Sequence, residues 1–287
     1  MGSLLQTLDL PELLVVLALT VLPSILLLML ILFSDRRSRE PVLMLIICIL
    51  SGAFTISLSL ILDKIILKAH LIGGDLFTSA NSYSVYRILM LAGVEEYAKL
   101  LVLFLFLYRN KSFDDIYDGF VYSAIISLSF SVGETFIYVF NETTYGDMTS
   151  LAILRNLTSI PLHITCGILM GYFVSLQKFS KSKKRRFLNM FLALAVPTFI
   201  HTLYNVFFSV VSLSNTNNTV IMIILFILSI YFIGIMYIIR IHSLNKIFIN
   251  NGVYPKLYSY LMNKSEFITG GGGLRWFQMH IIKVYLK

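Results

Sequence analysis

Seven apolar runs, each near or above the roughly 20 residues that a helix needs to cross a bilayer, follow one another along the chain. They fall at Leu13 to Phe33, Val42 to Leu62, Val85 to Leu107, Gly119 to Phe140, Leu151 to Leu176, Phe187 to Phe208 and Val220 to Ile239. The fold class expected is therefore all-α: a polytopic transmembrane helix bundle of about seven spans. Composition agrees, because hydrophobic residues make up 57% of the chain and charged residues only 13%, far from the balance of an ordinary soluble domain. Ahead of the first run stand Asp9 and Glu12 in place of a basic flank. With no small-residue cleavage site either, that run reads as a retained helix and not a signal peptide.

The net charge of +8 could point to nucleic acid, but the basic residues are distributed by loop and form no single soluble patch, so no nucleic-acid partner is expected. Arg36, Arg37 and Arg39 follow the first span, Arg109 and Lys111 the third, Lys178 and Lys181 to Arg186 the fifth, and Arg240 and Lys246 the seventh. The connections Asn141 to Ser150 and Ser212 to Thr219 hold no lysine or arginine; only Lys64 and Lys68 blur the alternation. By the positive-inside rule the N-terminus lies outside and the C-terminus inside. Cys48 and Cys166 fall within spans and give no disulfide framework.

No internal repeat is visible, and the loops are short enough for one bundle. Residues 1–240 are expected to form the transmembrane domain, with a motif-bearing core at 85–210, and residues 241–287 a cytoplasmic basic tail. Within the tail, Gly270 to Gly273 read as a hinge, and 274–287 mix aromatic, aliphatic and cationic residues in the manner of an interfacial segment on the lipid bilayer.

Chemistry enters with the third run. Glu95, Glu96 and Lys99 lie inside it, and a charge at the bilayer centre costs roughly 2.5 to 3.5 kcal/mol on insertion scales, which marks the three as functional. Lys99 stands i,i+4 from Glu95 and i,i+3 from Glu96, so it can serve either carboxylate. One glutamate held charged by the lysine and one kept protonated by desolvation would make a base and an acid from a single dipeptide. With about 1.5 Å of rise per residue, Glu95, Glu96 and Lys99, Glu134, His163, and His201 with Asn205 all fall in the outer half of four successive spans. His201 and Asn205, at i,i+4, can donate two hydrogen bonds to one oxygen, as an oxyanion site requires, or clasp neighbouring helices. Gly167 and Gly171 form a GxxxG step that reads as close helix contact.

The ordered set of Gly93-Val94-Glu95-Glu96-Tyr97-Ala98-Lys99, Asp114-Asp115-Ile116-Tyr117-Asp118-Gly119, Phe130-Ser131-Val132-Gly133-Glu134, His163 and His201 with Asn205 resembles the PrsW family of intramembrane proteases. That family is related to the CAAX prenyl endopeptidases, whose pattern is EExxxR, FxxxH and HxxxN. Here the basic residue comes one position earlier and Glu134 stands where a histidine would, both closer to PrsW.

The resemblance implies a glutamic-type protease of the cell membrane that hydrolyses a membrane-anchored protein near the extracytoplasmic face, an anti-sigma factor being the known substrate type. It implies Glu95 as general base for water, Glu96 as acid partner or support, Glu134 as a water-holding or proton-transfer group, and His201 with Asn205 as oxyanion stabilisers. Lys99, His163 and Phe130 line the site. Ser127 and Ser129, at positions often glycine in the family, and Thr135, where asparagine is common, depart from its pattern. A zinc-dependent version stays open, with Glu134, His163 and His201 as three ligands and water as the fourth, although no HExxH occurs. So do a prenyl endopeptidase and a non-catalytic scaffold related to the γ-secretase scaffold subunit. A proton-coupled transporter would more often show repeat symmetry and interrupted helices.

Overall fold

The computed structural model describes residues 9–34, 40–72, 80–142, 144–180, 182–211 and 219–250. Among them the chain forms only helices: α1 (Leu10–Ser34), α2 (Val42–Ile72), α3 (Ala80–Val102), α4 (Ile116–Val139), α5 (Tyr145–Leu157), α6 (Ser159–Phe179), α7 (Lys183–Val211) and α8 (Thr219–Asn250). A single π-helical stretch, Leu103–Leu107, extends α3. The protein is a multi-pass membrane protein: six segments among the described residues are long and apolar enough to cross a bilayer. The expected span missing from these six is the third, Val85 to Leu107, which coincides with α3 and its π extension. Its length suffices, and what sets it apart is Arg87, Glu95, Glu96 and Lys99 along one helix.

Two expected boundaries move. The fifth run is not one straight helix, because α5 stops at Leu157 and α6 begins at Ser159. Pro161 explains the break: it has no N–H to give to the Leu157 carbonyl, and its ring crowds that carbonyl in a continuous helix. Placed in the first turn of α6, where N–H groups have no intrahelical partner anyway, the proline costs little. At the other end α8 continues through Arg240 to Asn250, so the polar tail expected from residue 241 begins as helix. The interfacial segment expected at 274–287 lies outside the described residues.

The bundle is built around α4 and α6, whose residues are buried along most of both helices. Around this pair α7 and α8 pack on α6, α2 and α1 on α4, and α3 fits between α2 and α7. The outer helices turn large apolar side chains outward, among them Leu22, Leu26 and Leu30 of α1 and Leu225, Leu228 and Phe232 of α8, as lipid-facing surfaces do. With lipid as apolar as leucine, association must come from close packing.

Small residues supply that packing. A Cβ on Gly167 would stand 2.5 Å from Ser127 Oγ, and one on Gly171 would stand 2.6 Å from the Gly119 carbonyl carbon. The GxxxG step is thus the α4–α6 seam. Ser127 and Ser129 are accommodated by glycines opposite: Gly167 on α6 for the first, and for the second Gly52 on α2, where an added Cβ would lie 2.6 Å from that of Ser129. Ser129 Oγ also donates to the Ile49 carbonyl at 2.8 Å.

The aspartate motif caps α4. Asp115 Oδ1 accepts from the Tyr117 and Asp118 amides at 2.6 and 3.0 Å, and Asp118 Oδ2 accepts from the Asp114 and Asp115 amides at 2.7 Å each, a reciprocal capping box. Glu40 reaches this end of the bundle and accepts from the Tyr122 hydroxyl. Burial holds the Glu40 carboxyl above the usual carboxylate range. Both cysteines are free and buried.

If the seam carries the fold, Gly171→Ile should lower the thermal unfolding midpoint of the full-length protein in detergent by about 5 °C or more, given typical overpacking costs. Gly146→Ala, where an added Cβ meets nothing within 4 Å, should leave it essentially unmoved. Equal midpoints for the two variants would contradict the packing described.

Candidate active site

Five helices converge on one cluster. The packing of α3 between α2 and α7 carries Glu96 and Lys99 fully inside the bundle, both at 0% exposure, while the Glu95 side chain keeps 16%. From α4 come Phe130 and Glu134, from α6 His163, from α7 His201, and from the end of α5 Arg155.

Lys99 settles the choice left open by helical spacing. Its ammonium donates to Glu96 Oε1 at 2.8 Å and to His163 Nδ1 at 2.9 Å, and lies over the Phe130 ring, 4.3 Å from its centroid. Glu96 is therefore its partner. The same Glu96 Oε1 also faces His201 Nδ1 at 2.9 Å, and His163 Nε2 faces Glu134 Oε2 at 2.9 Å. Glu134 Oε2 finally accepts from Arg155 Nη2 at 2.6 Å. One continuous chain results: Arg155, Glu134, His163, Lys99, Glu96, His201. At its end His201 Nε2 stands 3.8 Å from Glu95 Oε2.

The partners assign the imidazole tautomers. An ammonium paired with a carboxylate has donors only, so His163 Nδ1 must accept and its Nε2–H donates to Glu134. Glu96, already accepting from Lys99, accepts again from His201 Nδ1–H, which leaves the lone pair of His201 on Nε2, pointed toward Glu95. The two imidazole rings lie perpendicular, centroids 4.9 Å apart, and Phe130 meets His163 edge to face at 5.3 Å. Two carboxylate oxygens at this centre, Glu95 Oε2 and Glu96 Oε2, are buried and have no hydrogen-bond partner among the described residues. Leaving such an acceptor empty costs on the order of 1 to 3 kcal/mol or more, so the site is shaped for a donor that protein groups do not provide.

Of the expected site residues, Glu95, Glu96, Lys99, Phe130, Glu134, His163 and His201 come together. Asn205 lies one turn beyond His201 on α7 and is half-buried. Arg155 was not foreseen. Its signal in the sequence is an arginine inside an apolar run, the same type of oddity that singles out Glu95 and Glu96. Thr135, an apparent departure from the family pattern, accepts from Arg155 Nε at 3.1 Å.

The metal-ligating set differs from the expected Glu134, His163 and His201. Glu95, His163 and His201 each offer a ligand atom, and these atoms lie within 4.8 Å of one another. Glu134 is instead engaged by Arg155 and His163. The unpartnered Oε2 of Glu95 and the free Nε2 of His201 suit a cation, but both nitrogens of His163 are occupied, one of them by the Lys99 ammonium. A zinc site with three protein ligands would require His163 to abandon one partner; as arranged, the donor set holds two free ligand atoms and does not fit.

Residues 40–233 match the family model described as PrsW family intramembrane metalloprotease. The chain is similar to Protease PrsW of Clostridioides difficile, 32% identical over 173 residues that cover 60% of this chain and 70% of that one. It is likewise similar to Protease PrsW of Bacillus subtilis, 29% identical over 194 residues covering 67% and 81%, and to that of Geobacillus kaustophilus, 32% identical over 112 residues covering 39% and 47%. No solved structure matches the chain. The family match spans both the glutamate pair and the histidines that the fold gathers, and the chain belongs to the PrsW family of intramembrane proteases.

Proposed function

We propose that the protein is an intramembrane endopeptidase in which Glu95 activates a water for attack on a peptide bond of a membrane-anchored protein. The observation that carries this reading is the pair of acceptors, Glu95 Oε2 and His201 Nε2, 3.8 Å apart and both without a proton donor among the described residues. One water can span that gap with two ordinary hydrogen bonds, donating one to each. Its oxygen lone pair then faces away from both acceptors, toward an incoming carbonyl.

In the reaction the water oxygen bonds to the carbonyl carbon while Glu95 takes its proton. Glu95 then returns that proton to the amide nitrogen as the C–N bond breaks, giving a carboxylic acid, which keeps the second water proton, and an amine. Glu96 supports this by holding His201 through Nδ1–H. The assigned tautomer gives His201 a water-holding role in place of the oxyanion-donor role expected from the sequence. Asn205, on the next turn of α7, is left as the side-chain amide for the tetrahedral oxyanion. Glu134, committed to His163 and Arg155, orients the site and does not hold the water. No step passes through a metal.

A single-span anti-sigma factor is the substrate class proposed, cut at its extracytoplasmic side. The N-terminus-out orientation supports that side, since the loops rich in lysine and arginine then lie in the cytoplasm.

Two outcomes follow. Glu95→Gln should abolish cleavage of a single-span anti-sigma factor in proteoliposomes while the protein still accumulates in the membrane, and wild-type protein stripped with a zinc chelator should keep its rate within about twofold, against the order-of-magnitude losses typical when catalytic zinc is removed. Wild-type turnover by Glu95→Gln, or activity that vanishes with the chelator and returns with zinc, would sink the mechanism. Separately, a cysteine placed at Gly146 should react with an impermeant thiol reagent in intact cells, and one at Lys183 should not; the reverse pattern would invert the topology and put cleavage on the cytoplasmic side.

A further inference from the structure

Arg155 is more constrained than a staple between helices needs. Its Nη2 donates to Glu134 Oε2 at 2.6 Å and to Ser159 Oγ at 3.0 Å, its Nε donates to Thr135 Oγ1 at 3.1 Å, and the guanidinium lies over the Tyr138 ring, 4.3 Å from its centroid. The side chain is only 13% exposed. It reaches this place because α5 breaks from α6 at Thr158, and Asn156 Nδ2 ties α5 to α1 by donating to the Leu19 carbonyl at 2.7 Å.

We infer that Arg155 is a positioning residue for hydrolysis: by holding the Glu134 carboxylate against His163 it anchors the far end of the chain whose direction Lys99 sets and that ends at His201 and Glu95. Glu134, so held, can only accept from His163 Nε2–H. His163 then has a lone pair at Nδ1 alone, which draws the Lys99 ammonium toward it and toward Glu96. Glu96, already charge-paired, accepts from His201 Nδ1–H, and the His201 lone pair is left facing Glu95. Removing Arg155 leaves the Glu134 carboxylate without its cation and without the donor that holds it in place, free to turn away so that His163 Nε2–H loses its acceptor. The His163 ring then loses the anchor that holds it in line with Lys99, although no residue that would touch substrate has changed.

The inference rests on the reading of this site as a hydrolase, and the test separates the two. In the cleavage assay Arg155→Met should lower kcat about 10- to 100-fold with KM little changed, the range seen when an outer hydrogen-bond partner of a catalytic group is removed. Arg155→Lys, which keeps a cation on Glu134, should recover most of that loss. Thr135→Val with Ser159→Ala, which strips the other hydrogen bonds of Arg155 and spares the Glu134 pair, should stay within about threefold of wild type, since a merely structural staple predicts the opposite order. Wild-type kcat for Arg155→Met, or a larger loss for the Thr135/Ser159 pair than for Arg155→Met, would overturn the inference.

The second arm needs no substrate. In full-length protein labelled with 15N-histidine, His163 (assigned by its loss in His163→Gln) should be the Nε2–H tautomer with a slowly exchanging, downfield Nε2 proton, and Arg155→Lys should preserve that signature. A wild-type His163 protonated at Nδ1 overturns the inference whatever the protease assay gives. A wild type that cleaves nothing yet shows the Nε2–H signature counts against the proteolytic reading and supports the relay.

Discussion

A lysine ammonium buried with no exposure to solvent can persist only if its neighbours satisfy it, and the arrangement of this site follows from how that is done. Lys99 lies at the centre of the chain, bonded to Glu96 on one side and His163 on the other, with an aromatic face above it. Because an ammonium only donates, it dictates that Glu96 be an acceptor and that His163 present its lone pair. The orientation of both histidines propagates outward from there. Buried ion pairs are seldom a net source of stability against well-packed apolar side chains. The role of this one is to impose direction on a buried polar network.

The scaffold that permits this is a bundle whose central contact, α4 on α6, is lined by glycine and serine. Close backbone approach brings Glu134 and His163, from facing helices, within hydrogen-bond distance. The break at Thr158 redirects α5 so that a third helix adds Arg155 to the same carboxylate. The aspartate motif at Asp114 to Gly119 serves the same scaffold from the other end, since its reciprocal caps start α4 and so set the height at which Phe130 and Glu134 project. The cap and the site residues Phe130 and Glu134 thus stand toward opposite ends of one helix.

Much of this was legible in the chain because the bilayer penalises charge: Glu95, Glu96 and Lys99 are conspicuous only against an apolar background, and helical spacing puts the lysine within reach of both acids. Spacing could not say which acid it takes, since i,i+3 and i,i+4 are equally accessible and His163 and His201, distant in sequence, decide it. The expected zinc ligands included Glu134 and omitted Glu95 for the same reason, because Arg155 claims Glu134 from another helix. The helix break was marked by Pro161 and by Arg155, Asn156, Thr158 and Ser159 just before it, but the mean hydropathy across the break stays high enough for the two helices to read as one span. The extension of α8 past Arg240 was hidden because its apolar residues give way to polar ones while the backbone continues unchanged.

The central claim is that Lys99 organises the site through Glu96, and thermal unfolding in detergent together with turnover of Lys99→Met and of Lys99→Met/Glu96→Gln tests it directly. The single substitution should cost on the order of 3 to 5 kcal/mol by leaving Glu96 buried and uncompensated, the double should regain most of that, and neither should cleave substrate. Unchanged stability and unchanged turnover in Lys99→Met would contradict the account.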